Sequence, residues 1–190
     1  GSRSGWWGAS AGAEAFLDEL ITWRELGFVS SSHGPTDFDA LPAWARATLD
    51  AHAGDPRPWR YTLDDLDGAA THDPIWNAAQ TELREDGTMH NYLRMLWGKK
   101  VLEWAPSPRV AFDWLVELNN RYAVDGRDPN SYTGISWVFG RYDRPWGPVR
   151  PIFGTIRYMS SDSTRRKMDL GGYLARYGGG GGAEQQRLFR

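Results

Sequence analysis

Three tryptophans, Trp76, Trp97 and Trp104, lie close together where the apolar pattern of this 190-residue chain reads as successive helices. They belong to a total of eleven, more than the core of one domain needs. An indole can stack on a flat heteroaromatic ring, and it is one of the few side chains that can lose an electron and survive as a radical. Its commoner use is to fill a core with apolar area. Residue type alone leaves both uses open at each position.

Other chemistry-bearing residues share turns or faces with these indoles. Glu19 and Trp23 are four apart, so one helix face carries both. Together they suit a flat polar ligand, by hydrogen bond and stacking; equally, they suit a solvated acid beside a core indole. Asn91, Arg94 and Met95 fall within one turn, and Trp97 and Trp104 stand seven apart on one face. Arg94 can reach a carboxylate across the domain, with Asp125 as its expected partner, in a structural or a ligand-orienting role.

Charge is unevenly placed. The net charge is −2, yet residues 138–177 hold eight Lys/Arg against three acids, which leaves the rest of the chain near −7. Within that stretch Tyr142, Trp146, Phe153 and Tyr158 interleave with Arg144, Arg150 and Arg157. Cations hold phosphates and aromatics stack on bases, so the segment suits a polyanion; a solvated basic loop has the same composition.

Several classes are excluded. The chain has no Cys, which removes disulfides, thiolate metal sites and cysteine nucleophiles. Its four histidines lack metal spacing, and no GxSxG elbow, Walker loop or dinucleotide fingerprint is present. No apolar run approaches the length of a membrane span. The opening residues lack the pattern of a secretory signal and do not begin with Met, which reads as a processed chain or a fragment.

The elements that must position these residues are helices. Apolar spacing predicts one over 13–26, followed by a loop over 27–39 rich in Ser, Gly and Pro. Pro42 opens another through about His52. Asp73 caps a helix that Gly87 stops, 88–104 forms the next, and Ser107–Pro108 opens one through Tyr122. A short apolar segment at 132–139 precedes a long aromatic loop at 140–157. The expected layout is a linker at 1–12, one all-α domain at 13–177 and a flexible glycine-rich tail at 178–190.

The run THDPIWNAAQTELREDGTMHNYLRMLWGKKVLEWAPSPRVAFDWLVELNNRYAVDGRDPNSYTGISW (71–137), with RPIFGTIRYMS (150–160), resembles the C-terminal FAD-binding helical domain of class II cyclobutane pyrimidine dimer photolyases. The resemblance implies a flavoprotein that repairs UV-damaged DNA under blue light. It implies an electron-transfer chain of Trp97, Trp76 and Trp104, with Trp97 nearest the flavin and Trp104 near the surface. Glu19, Trp23, Met95 and Trp137 match dimer-binding residues. Asn91, Arg94, Asn119, Asp125 and Arg127 match the flavin side, with Asn119 at flavin N5. Arg144, Trp146 and Arg157 match the DNA-contacting region.

The expected state is a monomer, cytoplasmic if the source is bacterial and nuclear if it is eukaryotic, and the lack of a long apolar run implies no membrane partner. The family's α/β antenna domain and the serine-containing loop that grips the FAD phosphates are not in this sequence. Two alternatives accompany the enzyme reading: a cryptochrome-like photosensor that signals to a protein partner, and a truncated, non-catalytic DNA-binding remnant. The remaining indoles, Trp6, Trp7, Trp44, Trp59 and Trp114, are expected to serve packing.

Overall fold

A computed structural model describes residue 5 and residues 7–179. The parts of the expected linker at 1–4 and tail at 180–190, and the packing expected of Trp6, fall outside the described residues. Within them the fold is all-helical, with a single isolated bridge between Arg150 and Gly154 in place of any sheet.

The first element is α1 (Ala11–Leu17), which runs through a π-helical stretch (Asp18–Trp23) into α2 (Arg24–His33). The expected loop at 27–39 is therefore corrected: its first seven residues are helical. Tertiary packing overrides the weak propensity of Gly27 and the serines. Gly27 is buried against α8 (Pro129–Val138), where an added Cβ would lie 3.0 Å from Asn130 Cα. Arg141 Nη2 also donates to Ser30 Oγ at 2.6 Å, which ties α2 to the chain beyond α8.

A 3-10 turn (Phe38–Ala40) follows, then α3 (Ala43–Ala51) and α4 (Leu63–Asp67). Helix α5 (Pro74–Asp86) starts on the Asp73 cap, whose carboxylate accepts from the Ile75 and Trp76 amides, with Pro74 in the first turn. It stops at Gly87, whose φ of 69° is the left-handed conformation that glycine reaches without strain. Next is α6 (Asn91–Trp104), which begins three residues later than expected because His90 caps it, accepting from the Tyr92 amide. Helix α7 (Pro108–Tyr122) opens as the Ser107–Pro108 pair predicts.

Two short helices, α9 (Ser161–Lys167) and α10 (Gly171–Tyr177), close the described chain. Neither α4 nor α9 shows a readable period. Both rest on capping boxes, Thr62 with Asp65 and Ser160 with Ser163.

The core centres on α6, which packs against α5, α7 and α8. Leu93, Leu96, Trp97, Val101, Leu102 and Trp104 are all buried, and even Lys99 and Lys100 are drawn in. Such a central helix has no polar stripe to read. By contrast Phe16, Leu20 and Ile21, the expected apolar face of the first helix, are exposed. Among the described residues no helix is long and apolar enough to cross a membrane.

Candidate functional site

The indoles at 76, 97 and 104 form one buried array between α5 and α6. Trp76 and Trp104 meet edge to face with centroids 5.5 Å apart. Trp76 Nε1 donates to the carbonyl oxygen of Trp97 at 3.0 Å, and Trp97 Nε1 donates to Gln80 Oε1 at 2.9 Å. Trp104 is 1% exposed, which corrects the expectation that it lies near the surface. It is covered by Tyr61 and His72, at 5.2 and 5.4 Å, and Trp59 stacks on His72 at 4.2 Å. Trp59, expected to pack, is 52% exposed and is where this aromatic series reaches solvent. The Tyr61 hydroxyl lies 2.6 Å from His72 Nδ1, and burial lowers the pKa of that imidazole.

A second cluster lies where α2 meets α8. Trp23 and Trp137 face each other with centroids 4.9 Å apart and planes tilted by 44°. Both are partly accessible, as is Met95 on α6. Trp23 lies at the end of the π-helical stretch, a distortion that re-aims side chains and recurs at functional sites. Glu19, from the same stretch, lines a groove of about 520 Å³ together with Phe16, Leu20, Arg24, Val124, Asp125, Asp128 and Asn130.

The predicted ion pair is present at that groove. Arg94 Nη1 lies 3.0 Å from Asp125 Oδ2, and Nη2 lies 3.4 Å from Oδ1, with both side chains partly exposed. Asn119 holds the loop that carries Asp125: its Nδ2 donates to Ser131 Oγ at 3.1 Å, and that hydroxyl donates to the Asp125 carbonyl oxygen at 2.8 Å. Arg127 adopts a φ of 69° in the same loop, and its amide donates to Asn120 Oδ1. Asn91 is exposed at the start of α6.

The long loop after α8 is ordered around Trp146. The guanidinium carbons of Arg144 and Arg157 lie 4.4 and 5.0 Å from the ring centroid, so two cations share one indole. Trp146 Nε1 donates to Asp143 Oδ1 at 2.8 Å, and its amide donates to the Thr155 carbonyl oxygen. Beneath the loop, Lys99 donates to the Val138 carbonyl oxygen. Full burial holds its pKa down to about 7, with Asp143 opposing that shift and Arg157 adding to it.

No family model matches the chain. A deoxyribodipyrimidine photo-lyase of Methanothermobacter thermautotrophicus is 48% identical over 166 residues, 86% of this chain and 37% of that protein. Those of Oryza sativa subsp. japonica and Potorous tridactylus are 43% and 42% identical, over 85% and 82% of this chain and 32% and 30% of theirs. The chain is a homologue of these photo-lyases. It spans about a third of the length of the curated relatives it matches.

The fold brings most of the sequence-predicted residues into three neighbourhoods: the buried indoles, the Trp23–Trp137 pair with the nearby groove, and the Arg144–Trp146–Arg157 stack. Several contributors went unnoticed in sequence. Gln80 stands four residues after Trp76, on the same face of α5, so helical spacing could have revealed it. Asp143, three residues before Trp146, and Tyr61 with His72, eleven apart in coil, carry no comparable signal.

Proposed function

We propose that this chain is the C-terminal, helical part of a class II cyclobutane pyrimidine dimer photolyase, whose whole form binds FAD and repairs UV-damaged DNA under blue light. The Trp23–Trp137 pair carries this reading, because the helical run that bears Trp23 also sends Glu19 and Arg24 into the groove at Asp125. A flipped pyrimidine dimer needs flat apolar walls and a carboxylate for its polar edge. Trp23, Trp137 and Met95 supply the walls, and Glu19 at the groove supplies the carboxylate.

The residues present fit the ring end of FAD. The groove has apolar sides in Phe16, Leu20 and Val124 and polar edges in Glu19, Arg24, Asp125 and Asp128, with Arg94 paired to Asp125 and Asn119 buried. Arg94, Asp125, Arg127, Asn91 and Asn119 would hold that end. When bound and reduced, FAD supplies the light-driven electron that opens the cyclobutane ring and receives it back. Trp97, Trp76 and Trp104 form a buried path by which an electron from the protein side can restore the reduced cofactor. Arg144 and Arg157 hold phosphates beside the lesion, and Trp146, fixed by Asp143, fills the space that the flipped bases leave.

The pocket favours repair over photosensing, because a sensor has no use for paired indoles and a carboxylate shaped to pyrimidines. Damaged and undamaged duplexes separate these readings. The flavin-loaded protein should bind a dimer-containing duplex at least tenfold more tightly than the same duplex without damage. Trp23→Ala should erase that preference by removing stacking worth about 1–3 kcal/mol. Equal affinity for the two duplexes would refute the assignment of the pocket.

A further inference from the structure

Gln80 is wholly buried beside the Trp97 indole, and its amide is only half used. Its Oε1 accepts from Trp97 Nε1 at 2.9 Å, while its Nε2 has no hydrogen-bond partner among the described residues. An unpaired buried donor is costly, about 1–3 kcal/mol, and a leucine of similar size would avoid it. Packing therefore does not account for the amide, whereas the Trp97 N–H does.

The second inner indole is treated alike. Trp76 Nε1 donates to the Trp97 carbonyl oxygen, another amide oxygen. Trp146, outside the array, instead donates to the carboxylate of Asp143. Both inner indoles therefore face acceptors that fix the N–H and have almost no basicity, and the indole paired with a base, Trp146, lies elsewhere.

The distinction matters once an electron is removed, because the N–H of an oxidised indole is far more acidic than that of the neutral ring. We infer that Gln80 is a positioning residue of the indole chain: its carbonyl fixes the Trp97 ring and, unable to accept a proton, keeps oxidised Trp97 a radical cation. This inference rests on the redox role proposed for Trp97. With flavin bound, Trp97 would give one electron to the excited cofactor, the one-electron oxidant, and keep its proton. An electron from Trp76 would then refill Trp97, and one from Trp104 would refill Trp76. No N–H bond would break at the two inner sites. A carboxylate in place of the amide would take the proton, leave a neutral Trp97 radical and stop the transfer there.

Two substitutions separate positioning from proton retention. Gln80→Met removes the acceptor; Gln80→Glu keeps an acceptor and makes it basic when read at about pH 10, above the roughly 8–9 that a buried carboxyl reaches. In the flavin-free chain, the Trp97 indole N–H resonance should be hydrogen-bonded and slow to exchange, and Gln80→Met should abolish that protection. In the flavin-loaded protein after a light flash, Gln80→Met should still pass the oxidation outward. Gln80→Glu should show early neutral indole radical and lose the outer radical signal. Radical spectra and N–H exchange that match the parent in both variants would overturn the inference. If Trp97→Phe blocks photoreduction in that case, only the role of Gln80 fails; if Trp97→Phe leaves photoreduction intact, the redox role of Trp97 fails with it.

Discussion

Single side chains carry two separable tasks, and Trp97 and Lys99, neighbours on α6, illustrate them. Trp97→Phe keeps most of the buried volume and removes the easily oxidised ring. Flavin should remain bound in that variant while steady-state photoreduction falls to the background rate, measured as bleaching of the oxidised flavin band. Lys99 has the opposite character, a cation enclosed with a single carbonyl partner. Because its folded pKa of about 7 lies below the ordinary lysine value, the unfolded chain binds the proton more tightly. Its burial cost is therefore full at and below pH 7 and fades as pH rises toward 10.5. Lys99→Met should raise stability by about 1–4 kcal/mol near neutral pH. Paired urea titrations should show that gain shrinking between pH 7 and 10; a gain independent of pH would contradict the assignment. Trp97 was legible from its type and spacing. The burial of Lys99 was not, since nothing local distinguishes it from Lys100.

At the scale of elements, the packing of α2 against α8 sets the spacing of Trp23 and Trp137. Gly27 lets the two backbones approach, with Asn130 N only 3.1 Å from where a Cβ would stand. Gly27→Leu must push the helices apart, and overpacking of this kind costs about 1–3 kcal/mol. A fall in the thermal midpoint together with weaker binding of the dimer duplex is expected; a variant of unchanged stability would show that the contact is slack. Helices with strong caps, α5 and α7, were readable to the residue at their starts. The run from Gly27 to His33 was not, because its glycine and serines are held helical by partners more than a hundred residues away, such as Arg141 on Ser30. Period-based reading also gave α1 a buried face, yet Phe16 and Leu20 are exposed and line the groove.

Across the whole molecule, the described helices bury an aromatic path between α5 and α6, pair Trp23 with Trp137 where α2 meets α8, and leave a groove lined by Glu19, Arg24 and Asp125. The arginine-flanked Trp146 loop follows α8. The fold class and the Arg94–Asp125 pair of the candidate site were legible, because the indoles, Arg94 and Asp125 have distinctive types at readable positions. Which indoles are covered was not legible. Trp104 and Trp59 exchanged their expected exposures once Tyr61 and His72, both from coil, folded between them. If Arg144 and Arg157 hold phosphates, replacing both with Gln should lower the slope of log affinity against log salt by about 2, since each released counterion contributes about 0.9. An unchanged slope would move the DNA elsewhere. The most direct measurement illuminates the whole protein, loaded with reduced FAD, in the presence of an oligonucleotide carrying one thymine dimer. Blue light should restore the thymine absorbance, and darkness should not. A flavin-loaded protein that leaves the dimer intact under light would contradict the repair function.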